Sequence, residues 1–116
     1  MRHIKGSYIP PGGGSERAID VAMAKTFIER LIGLMGEREF VHGDALALRP
    51  CSSVHTFFMR MNMDLAFLNR EGKVIATYAS IRPWRMRACW GADTALEFPA
   101  GRLSELGIEV GGIFRW

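Results

Sequence analysis

The sequence predicts a mainly β (α+β) fold, a small barrel or sandwich of short, mostly antiparallel strands with two short helices. Three observations carry this expectation. Short apolar runs rich in Val, Ile, Phe, Tyr and Ala recur along the chain; glycine, proline and asparagine turns separate them; and no regular strand–helix alternation marks a doubly wound parallel sheet.

The 116 residues, 48% hydrophobic and 23% charged, suit one globular domain with a single core. Residues 1–17 read as a flexible leader, because Pro10-Pro11 followed by Gly12-Gly13-Gly14 cannot hold a helix or a central strand. Residues 18–116 then form one β-rich domain. A net charge of +3 is too small for a nucleic-acid footprint, so no nucleic acid is expected as a partner. No apolar run has signal-peptide character, and none approaches the ~18 residues of a membrane helix. The expected protein is cytoplasmic, without a membrane partner or cofactor. Its two cysteines, Cys51 and Cys89, imply no disulfide framework and stay thiols in a reducing compartment.

Taken in order, residues 18–24 alternate loosely and make a first strand. Thr26-Phe27-Ile28-Glu29 has the capping-box pattern and opens a short helix that Gly33 or Gly36 ends. Ala45-Leu46-Ala47-Leu48 is a short buried strand stopped by Arg49-Pro50. Residues 51–64 follow as one extended segment crowded with chemistry. A period of two puts Cys51, Ser53, His55, Phe57, Met59, Met61 and Met63 on one face, and Thr56, Phe58, Arg60, Asn62 and Asp64 on the other. Residues 65–68 and 73–78 are strands joined by Asn69-Arg70-Glu71-Gly72, a four-residue hairpin that glycine closes. Residues 80–90 contain Pro83 and no clear period, which predicts a long loop or irregular edge. Residues 94–98 form a strand ended by Pro99, residues 102–106 a short helix capped by Gly107, and residues 109–116 a last strand broken by Gly111-Gly112.

Three groups of residues bear on function. Cys51-x3-His55 with Cys89 offers three zinc ligands and hence a metal-dependent hydrolase, although no second close pair of ligands supports it and a buried thiol pair is the plainer outcome. Met59, Met61 and Met63 beside Cys51 and His55 form a thioether set suited to Cu(I), or simply fill the core. A cysteine nucleophile with His55 as base and Asp64 as orienter is opposed by strand alternation, which sends His55 and Asp64 to opposite faces. Between Arg82 and Arg87 three arginines are interleaved with Pro83, Trp84 and Met86. Trp84 and Arg85 there could bind a base and phosphate, fork onto a carboxylate, or cover a barrel end. Arg60 and Asp64, four apart, read as an ion pair.

Read together, Arg30-x2-Gly33-Leu34-Met35, His55-Thr56-x2-Met59-Arg60 with Asp64 and Phe67-Leu68, Pro83-Trp84-Arg85-x3-Cys89, and Leu96-Glu97-x2-Ala100-Gly101 resemble a bacterial and archaeal family, domain of unknown function 192. The resemblance spans about residues 18–110. It implies a compact, mainly β fold and no particular reaction. It also implies that the positions of Met61 and Met63 are packing sites, and that Cys51 and Cys89 belong to two segments that meet. The chain departs from the family pattern at Gly111-Gly112, where Gly-Asp is usual.

The expectation is therefore a non-catalytic binding module in which His55, Arg60, Asp64, Trp84 and Arg85 line one concave site for a small anionic ligand or a peptide terminus. The alternatives are the metal-dependent hydrolase using Cys51, His55 and Cys89, and a protein-interaction scaffold that works through the Trp84 loop.

Overall fold

The computed structural model describes residues 2–24, 45–56 and 61–116. Nine strands are described: β1 (Arg2–Ile9), β2 (Arg17–Ala24), β3 (Ala45–Leu48), β4 (Ser53–His55), β5 (Met63–Leu68), β6 (Val74–Ile81), β7 (Met86–Ala88), β8 (Thr94–Pro99) and β9 (Ile113–Arg115), with one short helix, α1 (Arg102–Leu106). Seven strands form a sheet in the order β6-β5-β8-β3-β2-β1-β9, and β4 pairs with β7 in a separate ribbon. Only β2–β3 is parallel among these pairs. The predicted class, mainly β and mostly antiparallel, holds. The helix expected from Thr26 lies outside the described residues.

The sheet curls until its two edges touch. Val74 N–H donates to the Gly112 carbonyl at 2.8 Å and Phe114 N–H to the Gly72 carbonyl at 2.8 Å, with an antiparallel bridge between Lys73 and Ile113. Glycine is required on both sides of this seam. A Cβ on Gly72, whose φ is 82°, would run into the Phe114 carbonyl, and one on Gly112 into the ring and hydroxyl of Tyr8. Tyr8 thus fills the space that a side chain at position 112 would need, and its hydroxyl accepts the Glu109 N–H at 2.9 Å.

The expected leader is corrected here. Residues 2–9 are β1, paired in register with β2 from Arg2↔Met23 to Tyr8↔Arg17, and with β9 on its other side. Pro10 to Gly14 make the connecting turn, with Gly13 N–H donating to the Pro10 carbonyl at 3.1 Å. Tyr8 is buried against Phe114, ring centroids 4.8 Å apart. The proline-glycine run interrupts a strand pair instead of disordering what precedes it.

The central strands are buried on both faces, which is why β3 and β5 read as continuous apolar runs. One face carries Tyr8, Ile19, Val21, Leu96, Phe98 and Phe114 and packs Leu103 of α1. The other carries Leu46, Leu48, Met63, Leu65 and Phe67 and packs Cys51 and Val54 of the ribbon segment. The 69–72 hairpin is as predicted: Gly72 N–H donates to the Asn69 carbonyl at 3.0 Å, and the Asn69 side chain accepts the Glu71 and Lys73 N–H groups.

Candidate functional site

The stretch 51–64 is not one strand. β4 covers only Ser53–His55, Thr56 leaves it, and β5 begins at Met63; residues 57–60 lie outside the described residues. The cause of the break is Thr56, which is buried and spends its polar groups on the turn between β6 and β7. Its N–H donates to the Arg85 carbonyl at 2.8 Å, and its carbonyl accepts the Trp84 N–H at 3.0 Å. Its hydroxyl donates to the Arg82 carbonyl at 2.6 Å and accepts the Arg85 N–H at 2.8 Å. Four hydrogen bonds from one residue hold the 82–85 turn, in which Trp84 has a φ of 64°. A bulky residue in the left-handed region persists only where its surroundings impose it. Sequence reading missed Thr56; only its place beside His55 in a family-like motif pointed to it.

The clamp presents β7 as an exposed edge. Hydrogen bonds to β4 at Arg85 and Cys89 set the antiparallel alternation, so Arg87 faces β4 while the backbone groups of Met86 and Ala88 face away. Around this edge Trp84, Met86 and Trp90 are 56%, 60% and 101% exposed. Arg82 and Arg85 are exposed, while Arg87 lies over the Tyr78 ring at 5.5 Å. No acidic residue occurs between positions 72 and 92. The irregular edge predicted for residues 80–90 is thus partly a strand.

An open cleft of about 990 Å³ lies at the far end of β7, lined by residues 50–53, 69–71 and 88–93. Backbone bonds assemble it: Cys51 N–H to the Asp93 carbonyl and Cys89 N–H to the Ser52 carbonyl, both at 2.9 Å. Arg49 pairs with Asp93 at 2.9 Å behind it. Both cysteines line this cleft, so the two segments expected to meet do so; both are thiols and not a disulfide.

The predicted site residues divide. His55 is half-buried on β4 opposite Met86, and Trp84 and Arg85 sit on the neighbouring turn. Arg60 lies outside the described residues. Asp64 is 1% exposed and acts elsewhere: one carboxylate oxygen accepts the Ser80 N–H at 2.8 Å, the other the Gly101 and Leu103 N–H groups at 3.0 Å. It caps α1 from another strand, since α1 has no capping side chain of its own. Asp64 therefore does not line a site with Trp84. The three proposed metal ligands do not form a centre either: among the described residues no three His, Cys, Asp or Glu side chains gather to hold a metal ion. That removes the geometric basis of the hydrolase.

One buried acid, named in the sequence only as part of a family-like motif, has a role that the motif does not state. Glu97 on β8 stands between Leu46 and Leu65 on the ribbon-facing side of the sheet, fully buried, and neither carboxyl oxygen has a hydrogen-bond partner among the described residues. Burial pushes its pKa up to about 8. Strand alternation offered a signal, because Glu97 interrupts an otherwise apolar strand.

Comparison with known proteins decides the family. Residues 9–116 match the DUF192 family, described as "Uncharacterized ACR, COG1430". The chain belongs to the DUF192 family. It is 34% identical over 107 residues to a UPF0127 protein of Pyrococcus furiosus, covering 89% of this chain and 91% of that protein. A UPF0127 protein of Pyrococcus abyssi is 32% identical over 103 residues, 83% of this chain and 85% of the relative. Among solved structures, a crystal structure of a putative transcription regulator from Sinorhizobium meliloti superposes with a TM-score of 0.83 at 16% identity, covering 98% of this chain and 93% of that one. A protein of unknown function from Novosphingobium aromaticivorans gives 0.79 at 20% identity, covering 98% and 85%. At these identities the two structures share the fold with this DUF192 chain. No described helix is long and apolar enough to cross a membrane.

Proposed function

We propose that this DUF192 chain is a non-catalytic binding module whose partner-facing element is the β7 edge, and that its partner is an extended, carboxylate-rich peptide segment. The observation that carries this is an edge strand whose Met86 N–H and whose Ala88 N–H and carbonyl point away from β4, the Met86 carbonyl accepting from Arg87 Nη1 at 2.7 Å, flanked by exposed Trp84, Met86 and Trp90. Proteins ordinarily blunt such edges with charge or proline on the strand itself. Here the one charge on the strand, Arg87, lies over the Tyr78 ring, and Arg82 and Arg85 stand beside the edge, so a peptide adding as a further strand gains backbone hydrogen bonds, aromatic cover and arginine partners together. The open cleft past Trp90, lined by Arg70 and Glu71 and by Asp93, which Arg49 pairs, receives the end of such a peptide. A cytoplasmic setting, which keeps both cysteines reduced, suits the reading.

Calorimetric titration with an alternating glutamate–valine peptide tests it. Binding is expected in the micromolar range, weakening as salt rises, and at least about fivefold weaker for Arg85→Ala and for Trp90→Ala. No saturation below about 1 mM, or equal affinity for a lysine–valine peptide, would end this proposal.

A further inference from the structure

The two thiols of the cleft have no part in peptide recognition as described, yet the fold holds them together in a particular way. Ser53 pairs with Ala88, and Cys89 N–H donates to the Ser52 carbonyl at 2.9 Å. Cys89 therefore stands opposite Ser52, one residue from Cys51. The hydrogen bond thus ties Cys89 to the residue next to Cys51, which brings the two cysteine backbones onto adjacent stretches of chain. Regular alternation would send residues one step out of register to opposite faces. The chain bends at Ser52 instead, and both cysteines pack on the same cluster with Leu48, Val54 and Phe67. Both also line the same open cleft, which admits a small molecule to them. Their exposures differ: Cys51 is 7% exposed and its thiol donates to the Ser53 carbonyl at 3.0 Å, whereas Cys89 is half-buried at the cleft wall.

We propose that Cys51 and Cys89 form a thiol–disulfide exchange site whose substrate is a low-molecular-weight disulfide, with Cys89 attacking and Cys51 resolving. The Cys89 thiolate attacks one sulfur of the substrate RSSR, a Cys89–SR bond forms, and RS⁻ leaves. The Cys51 thiolate then attacks the Cys89 sulfur, the Cys51–Cys89 bond forms, and a second RS⁻ leaves. The two protein thiols give up two electrons and two protons, and RSSR is reduced to two RSH. The bond staples the end of β7 beside Trp90. Its effect on peptide binding rests on the function proposed above; the exchange chemistry does not.

The test uses the full chain across a series of glutathione redox ratios, read by intact mass after acid trapping. The wild type is expected to lose the mass of two hydrogens and carry no adduct, reversibly on returning to reduced glutathione. Cys51→Ser should accumulate one glutathione adduct, and Cys89→Ser several-fold less. Adducts on both cysteines of the wild type, a disulfide only between chains, or no change at any ratio would overturn the proposal, as would a Cys89→Ser variant that reacts as readily as Cys51→Ser. Should a serine variant fail to fold, the wild-type masses decide alone. Titrating oxidised and reduced protein with the glutamate–valine peptide separates the two ideas: a several-fold difference in affinity supports regulation of the β7 edge and equal affinities reject it, whereas a formed disulfide with no peptide binding in either state retains the exchange site and rejects the peptide reading.

Discussion

The two faces of the sheet treat a buried carboxyl in opposite ways. On the face that packs α1, Asp64 accepts three backbone N–H groups and joins β5, β6 and the start of α1. On the face that packs the ribbon segment, Glu97 is equally buried and has no hydrogen-bond partner among the described residues. The first arrangement returns the cost of desolvation as hydrogen bonds to a charged group; the second leaves it standing. The α1 face thus holds its carboxyl as a cap, and the ribbon face, where the cleft and the open edge lie, carries the carboxyl that has no hydrogen-bond partner among the described residues.

The largest expected effect breaks the satisfied side. Asp64→Ala strips three charge-assisted bonds and uncaps α1, and is expected to cost about 5 kcal/mol in chemical denaturation, a large part of a small domain's stability. A loss under about 1 kcal/mol would remove the contrast altogether. Glu97 sharpens it from the other side. Its pKa is raised in the folded protein, from 4.5 to about 8, so the folded state holds the proton more tightly than the unfolded chain. Stability is then full below about pH 4.5, falls as pH rises through the window up to about 8, and is level above it. Near pH 7 the accumulated penalty is about 3 kcal/mol by linkage. Glu97→Leu should abolish that slope between pH 5 and 8 and stabilise the protein most at the alkaline end. Denaturation midpoints that are flat in the wild type, or a variant that keeps the slope, would contradict the assignment. The smallest effect concerns the clamp. Thr56→Val keeps the shape and loses the hydroxyl, leaving the Arg82 carbonyl without that donor and the Arg85 N–H without that acceptor, for about 2 kcal/mol. Thr56→Ser should recover most of that. The valine variant should also weaken the glutamate–valine peptide if the 82–85 turn positions Trp84 for binding; unchanged affinity would make the clamp purely structural.

Much of the fold was legible because it is locally encoded. β3, the β5–β6 hairpin with Asn69 and Gly72, β8 with Pro99 as its last residue, and α1 ending at Gly107 all lie close to where apolar runs and turn residues put them. β1 was not legible, because its buried position is Tyr8 among Ser, Gly and Lys neighbours, and what secures it is pairing with β2 and β9 rather than its own pattern. The segment 51–64 was misread for a related reason: Thr56 bonds to residues nearly thirty positions on, so the chain leaves the strand at a place where local alternation continues. Asp64 was recognised as important but assigned to the wrong neighbours, since its partners Gly101 and Leu103 offer backbone N–H groups, which no side-chain pattern advertises. The proximity of the Cys51 and Cys89 segments came from family resemblance and not from spacing.

The seam between β6 and β9 has a kinetic meaning. Phe114 is bonded through its backbone to Gly72 and stands in register with Tyr8, so the closing strand joins elements from the beginning and the middle of the chain at once. Few local contacts reward the chain before that closure, and the entropy of bringing such distant segments together must be met first. The expected order is that the 69–72 hairpin forms early and alone, whereas the Tyr8–Phe114–Gly72 contacts consolidate after the rate-limiting closure, so substitutions at the seam should show themselves chiefly in how fast the protein unfolds.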